Sequence, residues 1–295
     1  MGKDLAGVEP AAAAVFRAAD ETLGFGLTAL CFEGSDADLV RTEITQPAIL
    51  TVAVAAYRAF TARGGEPPVA AAGHSLGEYA AHVVAGTMSF EDAVRIVRER
   101  GRFMQEAVPE GRGAMAAVLG LDRPAVERLC AEVANGEVVS PANANGPGQV
   151  VIAGHAGAVK RACEAAPAAG AKRALLLQVS APFHCALMEP AAARLATVLD
   201  GVTLCDPTIP VYTNVDAAPV RSGSGARDAL VRQVASMVRW EEEVVRMAHD
   251  GIDTFVEFGP GRVLAGLVRR IRKDARVHSV PDAAGLTATL RELEN

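Results

Sequence analysis

The sequence predicts an α/β fold, and three observations carry that prediction. Strands alternate with helices along most of the chain, one strand enters a helix through a Gly-x-Ser-x-Gly turn, and a β-α-β-β-α-β run sits in the middle. Such alternation implies a largely parallel sheet covered by helices on both faces. The 295 residues, half of them hydrophobic, suffice for one large domain or two moderate ones.

A net charge of −6 argues against nucleic acid as the main partner. No apolar run approaches the ~20 residues of a bilayer span. Met1-Gly2-Lys3-Asp4-Leu5 lacks the basic and apolar regions of a secretion signal, so no membrane partner is expected. Cys31, Cys130, Cys163, Cys185 and Cys205 are odd in number and scattered, without a C-x-x-C pair. That usage fits reduced thiols in a cytoplasmic protein and neither a disulfide frame nor a zinc site.

Residues 10–23 form an alanine-rich helix, and Pro47 is expected to open a longer one ending near residue 62. Pro68-Val69-Ala70-Ala71-Ala72 reads as a short buried strand, then come Gly73-His74-Ser75-Leu76-Gly77 and a helix beginning at Glu78. Strand, turn and helix in this order form a nucleophile elbow, in which both glycines lack Cβ atoms that would collide. Ser75 then sits at the tip, with its Oγ in a cleft. The N–H of Leu76 and the new helix N-terminus face the same point, ready to stabilise an oxyanion. Ser89-Phe90-Glu91-Asp92 looks like a capping box before a helix whose apolar face is Val94, Val97, Met104 and Val108.

From Gly113 the rhythm changes. A strand at 114–119, a helix at 124–133, strands at 138–142 and 149–153 joined through 143–148, a helix at 156–169 and a strand at 173–179 make a ferredoxin-like unit. After it come a helix at 190–199, a strand at 209–213, a small loop at 221–225, a helix at 226–237 and a strand at 254–258. Gly259-Pro260-Gly261 then turns into a final basic helix through residue 271. The expected architecture is a large α/β-hydrolase-like domain with a parallel sheet, residues 1–111 and 182–295. It carries an inserted small ferredoxin-like (βαββαβ) domain, residues 112–181.

A serine hydroxyl needs a base. His74 lies inside the elbow and is expected to point away from the Oγ, while His82, His155, His249 and His278 carry no signature. His184, in Val179-Ser180-Ala181-Pro182-Phe183-His184-Cys185, lies where the small domain returns the chain to the large one. Position alone leaves it balanced between a base overhanging the cleft and a packed histidine. Arg100, beside Arg95, Arg98 and Arg102, reads by itself as part of a solvated helix face.

Gly73-His74-Ser75-Leu76-Gly77-Glu78-Tyr79 resembles the signature of malonyl-CoA:acyl-carrier-protein transacylases, the loading enzymes of bacterial fatty-acid synthesis. So do the segments 100–105, 113–117, 143–154, 182–184 and 257–261, in this order. The resemblance implies that Ser75 is the acylated nucleophile, His184 its base, and Gln233 the residue whose backbone carbonyl orients the histidine. It implies that Arg100 binds the malonyl carboxylate, that Leu76 supplies an oxyanion N–H, and that Asn143 and Asn145 line the cleft. Leu76 and Phe183 match the malonyl-selecting pattern among related acyltransferases. The implied partners are malonyl-CoA and acyl carrier protein, with no metal or redox cofactor and coenzyme A only as the substrate thioester. Arg269, Arg270, Arg272 and Lys273 are candidates for docking an acidic carrier, although a solvated helix accounts for them more simply.

The family begins with a strand and a Gly-Gln-Gly-Ser-Gln-type turn that supplies a second oxyanion N–H, and Met1–Leu5 matches the residues immediately after that turn. Either the start of this sequence is assigned too far downstream or the chain lacks that strand and half the oxyanion hole, and one lost oxyanion donor costs about 10²–10³ in rate. Gln46 resembles a cleft-facing family residue. Ala235-Ser236-Met237 stands where the family often has an Asn-Pro turn. Three other readings use the same residues: a malonyl loader for a polyketide synthase, a truncated carrier-binding paralogue without activity, and a serine esterase. An esterase would need an acid between Ser75 and His184, and Asp122 is the only aspartate in that interval after the elbow helices.

Overall fold

Capping signals set the limits of the N-terminal helices. Pro10 stands at the first turn of the helix Pro10–Leu23, and Gly24 closes it in the left-handed conformation. The computed structural model, which describes residues 1–294, packs this helix and the helix Phe90–Ala107 against the long helix Thr42–Ala62. Leu50, Val54 and Phe60 of the long helix lie in the main core with Phe16, Val94 and Met104. Pro47 is inside this helix and does not open it. The helix starts where the Arg41 carbonyl accepts the N–H groups of Ile44 and Thr45, both at 2.8 Å, and the proline removes one donor in the second turn. Ser89 accepts the Asp92 N–H at 3.0 Å, but the Asp92 carboxylate takes the Ser89 hydroxyl, so only half of the capping box forms.

The strands are β1 (Gly113–Leu119), β2 (Val139–Gly146), β3 (Gln149–His155), β4 (Arg173–Leu176), β5 (Val211–Thr213), β6 (Ala218–Val220), β7 (Thr254–Phe258) and β8 (Arg276–Val280). The first four make one antiparallel sheet in the order β2-β3-β1-β4. On one face Ala116, Val118, Val150 and Ile152 pack against the helices Arg123–Val133 and Ala156–Ala165. On the other, Met115, Val151 and Ala153 pack against Cys185, so this face backs onto the segment that holds His184. β2 runs on through the stretch expected to be a loop. Its irregular register is held because Ala144 N–H donates to the Val238 carbonyl and Val238 N–H to the Ala142 carbonyl, each at 2.9 Å.

Elsewhere the expected continuous parallel sheet is in pieces. β5 and β6 form an antiparallel hairpin, and β7 and β8 a parallel pair. The 68–72 segment is neither a full strand nor buried. It meets β5 through one parallel bridge, Ala71 to Val211, and Val69 is 76 % exposed. Residues 68–73 and β7 line one cavity of about 1360 Å³ instead of pairing across it. The helix Val263–Ile271 is not the final one, because β8 and the helix Ala283–Leu293 follow it, and Trp240–His249 is a further helix. Residues 223–225 start the helix Gly223–Ala235, because Ser222 caps it through the Gly225 N–H. Among the described residues no helix is long and apolar enough to cross a membrane.

Candidate active site

The elbow is built by close approach. A Cβ on Gly73 would lie 2.0 Å from the Gly77 carbonyl carbon, so only glycine lets the incoming segment cross the helix Gly77–Val84. Gly77 is different, because a Cβ there meets nothing within 4 Å, and only the first of the two glycines is sterically required. Ser75 is held at φ 50°, and His184 at φ 60°. They are two of only four non-glycine residues with positive φ among the described ones. Such backbone persists where surrounding contacts over-determine it.

The two side chains meet. Ser75 Oγ lies 2.7 Å from His184 Nε2, and His184 Nδ1 lies 2.9 Å from the Gln233 backbone carbonyl. A carbonyl only accepts, so Nδ1 carries the proton and Nε2 presents its lone pair to the serine hydroxyl. Burial, then the nearby Arg100 cation, push the His184 pKa down to about 3, against the pull of the Gln233 carbonyl. The imidazole is therefore neutral at neutral pH. Asp122, the acid an esterase would require, instead caps the helix Arg123–Val133 through the Ala125 N–H at 2.9 Å.

Arg100 is not on a solvated face. It is only 2 % exposed, because Gly101 lets its helix abut the long helix; a Cβ at Gly101 would lie 2.5 Å from the Thr42 carbonyl oxygen. Its guanidinium donates to Gln46 Oε1 at 2.7 Å, Gln233 Oε1 at 2.8 Å and Ser75 Oγ at 3.1 Å, and lies 5.5 Å from the centre of the Tyr79 ring. All three acceptors are neutral oxygens, and Arg100 Nε has no hydrogen-bond partner among the described residues. A buried cation so placed retains the capacity to pair with an incoming carboxylate.

The cavity of about 1360 Å³ is lined by Ser75, Leu76, Arg100, Asn145 and Phe183 among others. The Leu76 N–H makes no hydrogen bond among the described residues and is available to an oxyanion. Asn145 Oδ1 lies 2.8 Å from His74 Nε2, which fixes His74 away from the serine. Asn143 corrects the expectation: it is buried on β2 opposite Val238 and does not line this cavity. Its neighbours' pairing with Val238 turns it into a join between the small sheet and the rest of the fold. Arg269, Arg270 and Arg272 are each engaged within the fold, by the Val277 carbonyl, Gln149 Oε1 and Asp274.

Sequence reasoning missed the layer beneath the serine. Asn214, Glu78 and Glu243 are fully buried there and linked to Gln233. Burial raises the Glu78 pKa to about 7 and pushes that of Glu243 well up, with Glu78 adding to the latter effect. Glu78 lies within the elbow motif, where an acid near a helix start reads as a dipole partner facing water. Asn214, alone after a three-residue strand, gives no pattern at all.

Comparison with known proteins agrees with this geometry. A model of the acyl transferase domain family matches residues 1–292. The malonyl CoA-acyl carrier protein transacylase of Escherichia coli strain K12 is 50% identical over 290 residues, covering 98% of this chain and 94% of that protein. That of Bacillus subtilis strain 168 is 44% identical over 295 residues, 100% of this chain and 93% of the relative. The solved structure of the Coxiella burnetii malonyl CoA-acyl carrier protein transacylase matches with a TM-score of 0.97 at 41% identity, covering 100% of this chain and 93% of that one. A malonyl-transacylase complex with a type II PKS acyl-carrier protein matches at 0.96 and 49% identity, covering 99% and 94%. With nearly the whole chain matched in sequence and in its mixed α/β fold, the chain belongs to the acyl transferase domain family, among the malonyl CoA-acyl carrier protein transacylases.

Proposed function

We propose that this protein moves a malonyl group from malonyl-CoA to the pantetheine thiol of acyl carrier protein, supplying extender units for fatty-acid synthesis. The observation that carries the reading is convergence at one atom: Ser75 Oγ is within hydrogen-bond reach of both a neutral imidazole and a buried guanidinium. The relatives' activity, given in their names, supports it.

The reaction is ping-pong. Ser75 Oγ attacks the thioester carbonyl and its proton passes to His184 Nε2. The Leu76 N–H receives the oxyanion, the C–S bond breaks, and coenzyme A leaves as a thiol with the proton from His184. The pantetheine thiol then gives its proton to His184, attacks the malonyl-serine ester and returns Ser75 to its hydroxyl form. Catalytic roles fall to Ser75, His184 and, through its carbonyl, Gln233. Arg100 pairs with the malonyl carboxylate, which also compensates the positive charge that weakens His184 as a base. Leu76 and Phe183 limit the space beside the acyl group, and Asn145 contributes to the cleft wall. No step draws on a metal or redox cofactor.

The architecture reads as an α/β-hydrolase-like domain, 1–111 and 182–295, with a ferredoxin-like insertion at 112–181. The strand order β2-β3-β1-β4 and a core cluster drawn wholly from residues 114–174 support the insertion. Cysteine usage supports a cytoplasmic setting. A polyketide carrier is the second reading, favoured by the 49% identical transacylase in complex with one. Intact-mass spectrometry after incubation with malonyl-CoA tests the chemistry. The native protein should gain one malonyl group and Ser75→Ala none; an undiminished adduct on Ser75→Ala rules this nucleophile out.

A further inference from the structure

The elbow turn leaves two backbone groups pointing inward, the Gly73 carbonyl and the Ser75 N–H. Both are met by one side chain. Asn214 Oδ1 accepts the Ser75 N–H at 2.6 Å, and Asn214 Nδ2 donates to the Gly73 carbonyl at 2.8 Å. The backbone partners fix the amide's orientation, since an N–H only donates and a carbonyl only accepts. The rest of Asn214 is equally committed. Its second Nδ2 proton goes to Glu243 Oε2 at 2.9 Å, its N–H to Glu78 Oε2 at 2.9 Å, and its carbonyl accepts the Arg239 N–H at 3.0 Å. It is fully buried and touches neither the cavity nor His184.

We infer that Asn214 is a positioning residue for Ser75, its side-chain amide bracing both ends of the elbow turn so that the strained serine keeps its hydroxyl against His184. This rests on the reading of Ser75 as the nucleophile. The brace has a second consequence. The Ser75 N–H is consumed by Asn214, which leaves the Leu76 N–H as the elbow donor free for an oxyanion. Without the amide, two buried backbone groups lose their partners and the positive φ at Ser75 has no lateral restraint. Gln233 Nε2, 3.0 Å from the Ser75 carbonyl, restrains only the far side of the serine.

A fluorophosphonate tests the brace, because it reports serine reactivity whatever the natural acyl donor is. The phosphonylation rate constant of Ser75, located by peptide mass spectrometry, is read per reactive site, so misfolded molecules lower the amplitude and not the rate. Asn214→Ala should slow it by roughly 10–100-fold, the range an ångström-scale displacement produces. Asn214→Asp should recover part of the rate, because a carboxyl oxygen still accepts the Ser75 N–H in either protonation state, while remaining slower than native. The half-saturating malonyl-CoA concentration for acylation should stay within about twofold, as Asn214 does not line the cavity. A native rate in Asn214→Ala overturns the proposal, as does Asn214→Asp reacting no faster than Asn214→Ala. Should Asn214→Ala not fold, a native rate in Asn214→Asp overturns it alone. Native protein that phosphonylates at Ser75 yet takes no malonyl group would overturn the malonyl reading and leave the brace supported by the variants.

Discussion

Arg100 is a charge placed where burial penalises it, and its selectivity comes from that penalty. Gln46, Gln233 and Ser75 satisfy its donors with neutral oxygens, so among the described residues no carboxylate pairs with it directly. A malonyl group brings the missing anion; an acetyl group leaves the cation as it was. Breaking a buried pair costs on the order of 3–5 kcal/mol, which corresponds to about 10²–10⁴ in rate. Arg100→Ala should therefore collapse the ratio of kcat/KM for malonyl-CoA over acetyl-CoA by about that factor, mainly through the malonyl value. A ratio left unchanged would mean that another group reads the carboxylate. The site was unevenly legible at this scale. Ser75 announces itself through flanking glycines and the helix after it. His184 needed only its place at the seam between the two parts of the chain to be suspected. Arg100 lies in a run of arginines that charge patterning reads as solvated, and its burial depends on Gly101 fitting against Thr42, a contact between distant segments. Asn214 works through two backbone groups of another segment and leaves no local trace.

The elements were most legible where a cap or a turn residue defines them locally. The helices Pro10–Leu23, Phe90–Ala107 and Arg123–Val133 follow the signals of Pro10, Ser89 and Pro124 to within a residue or two. Reading failed where pairing with distant chain decides the outcome. Asn143-Ala144-Asn145-Gly146 has turn composition, yet Val238 draws it into β2. The 68–72 run has strand composition, but a single bridge to Val211 is all the pairing it receives. The helix Ala283–Leu293 went unread, since the basic helix ending at Ile271 reads as the last, whereas His278 does lie in a terminal strand, β8, held by parallel pairing with β7. The elbow itself depends on one atom-scale condition, the absence of a Cβ at position 73. Gly73→Ala forces a methyl group to 2.0 Å from the Gly77 carbonyl carbon, so the segment and the helix must separate. The variant should lose most phosphonylation of Ser75 and melt several degrees lower. Gly77→Ala, facing open space, should retain both properties, and equal damage from the two substitutions would refute the crossing argument.

At the scale of the whole molecule, four buried titratable groups make opposing contributions to the pH dependence of stability. Burial holds His184 down to about 3 and His82 to about 4, while Glu78 is raised to about 7 and Glu243 well above its usual value. An unfolded histidine titrates near 6.5 and an unfolded glutamate near 4.3, so the folded and unfolded chains bind different numbers of protons between these limits. As pH falls below about 6.5, the unfolded chain protonates both histidines and the folded chain does not. Their contribution is present above that pH and is lost progressively toward their folded values of about 3 and 4. The glutamates run the other way. Their contribution is present below about 4.3 and is lost as pH rises, through about 7 for Glu78. Between about 4.3 and 6.5 two groups push in each direction, which gives a plateau from these four with a decline on either side. Glu78→Gln removes one of the downhill contributions while an amide oxygen still accepts from Asn214 and Gln233, the two donors that Glu78 Oε2 now serves. The melting temperature of Glu78→Gln minus that of the native protein should therefore rise steadily between about pH 4.3 and 7, a comparison in which surface carboxylates cancel. A difference that stays flat across that interval would show that Glu78 is ionised throughout, and the layer beneath Ser75 would then carry a full negative charge facing Arg100.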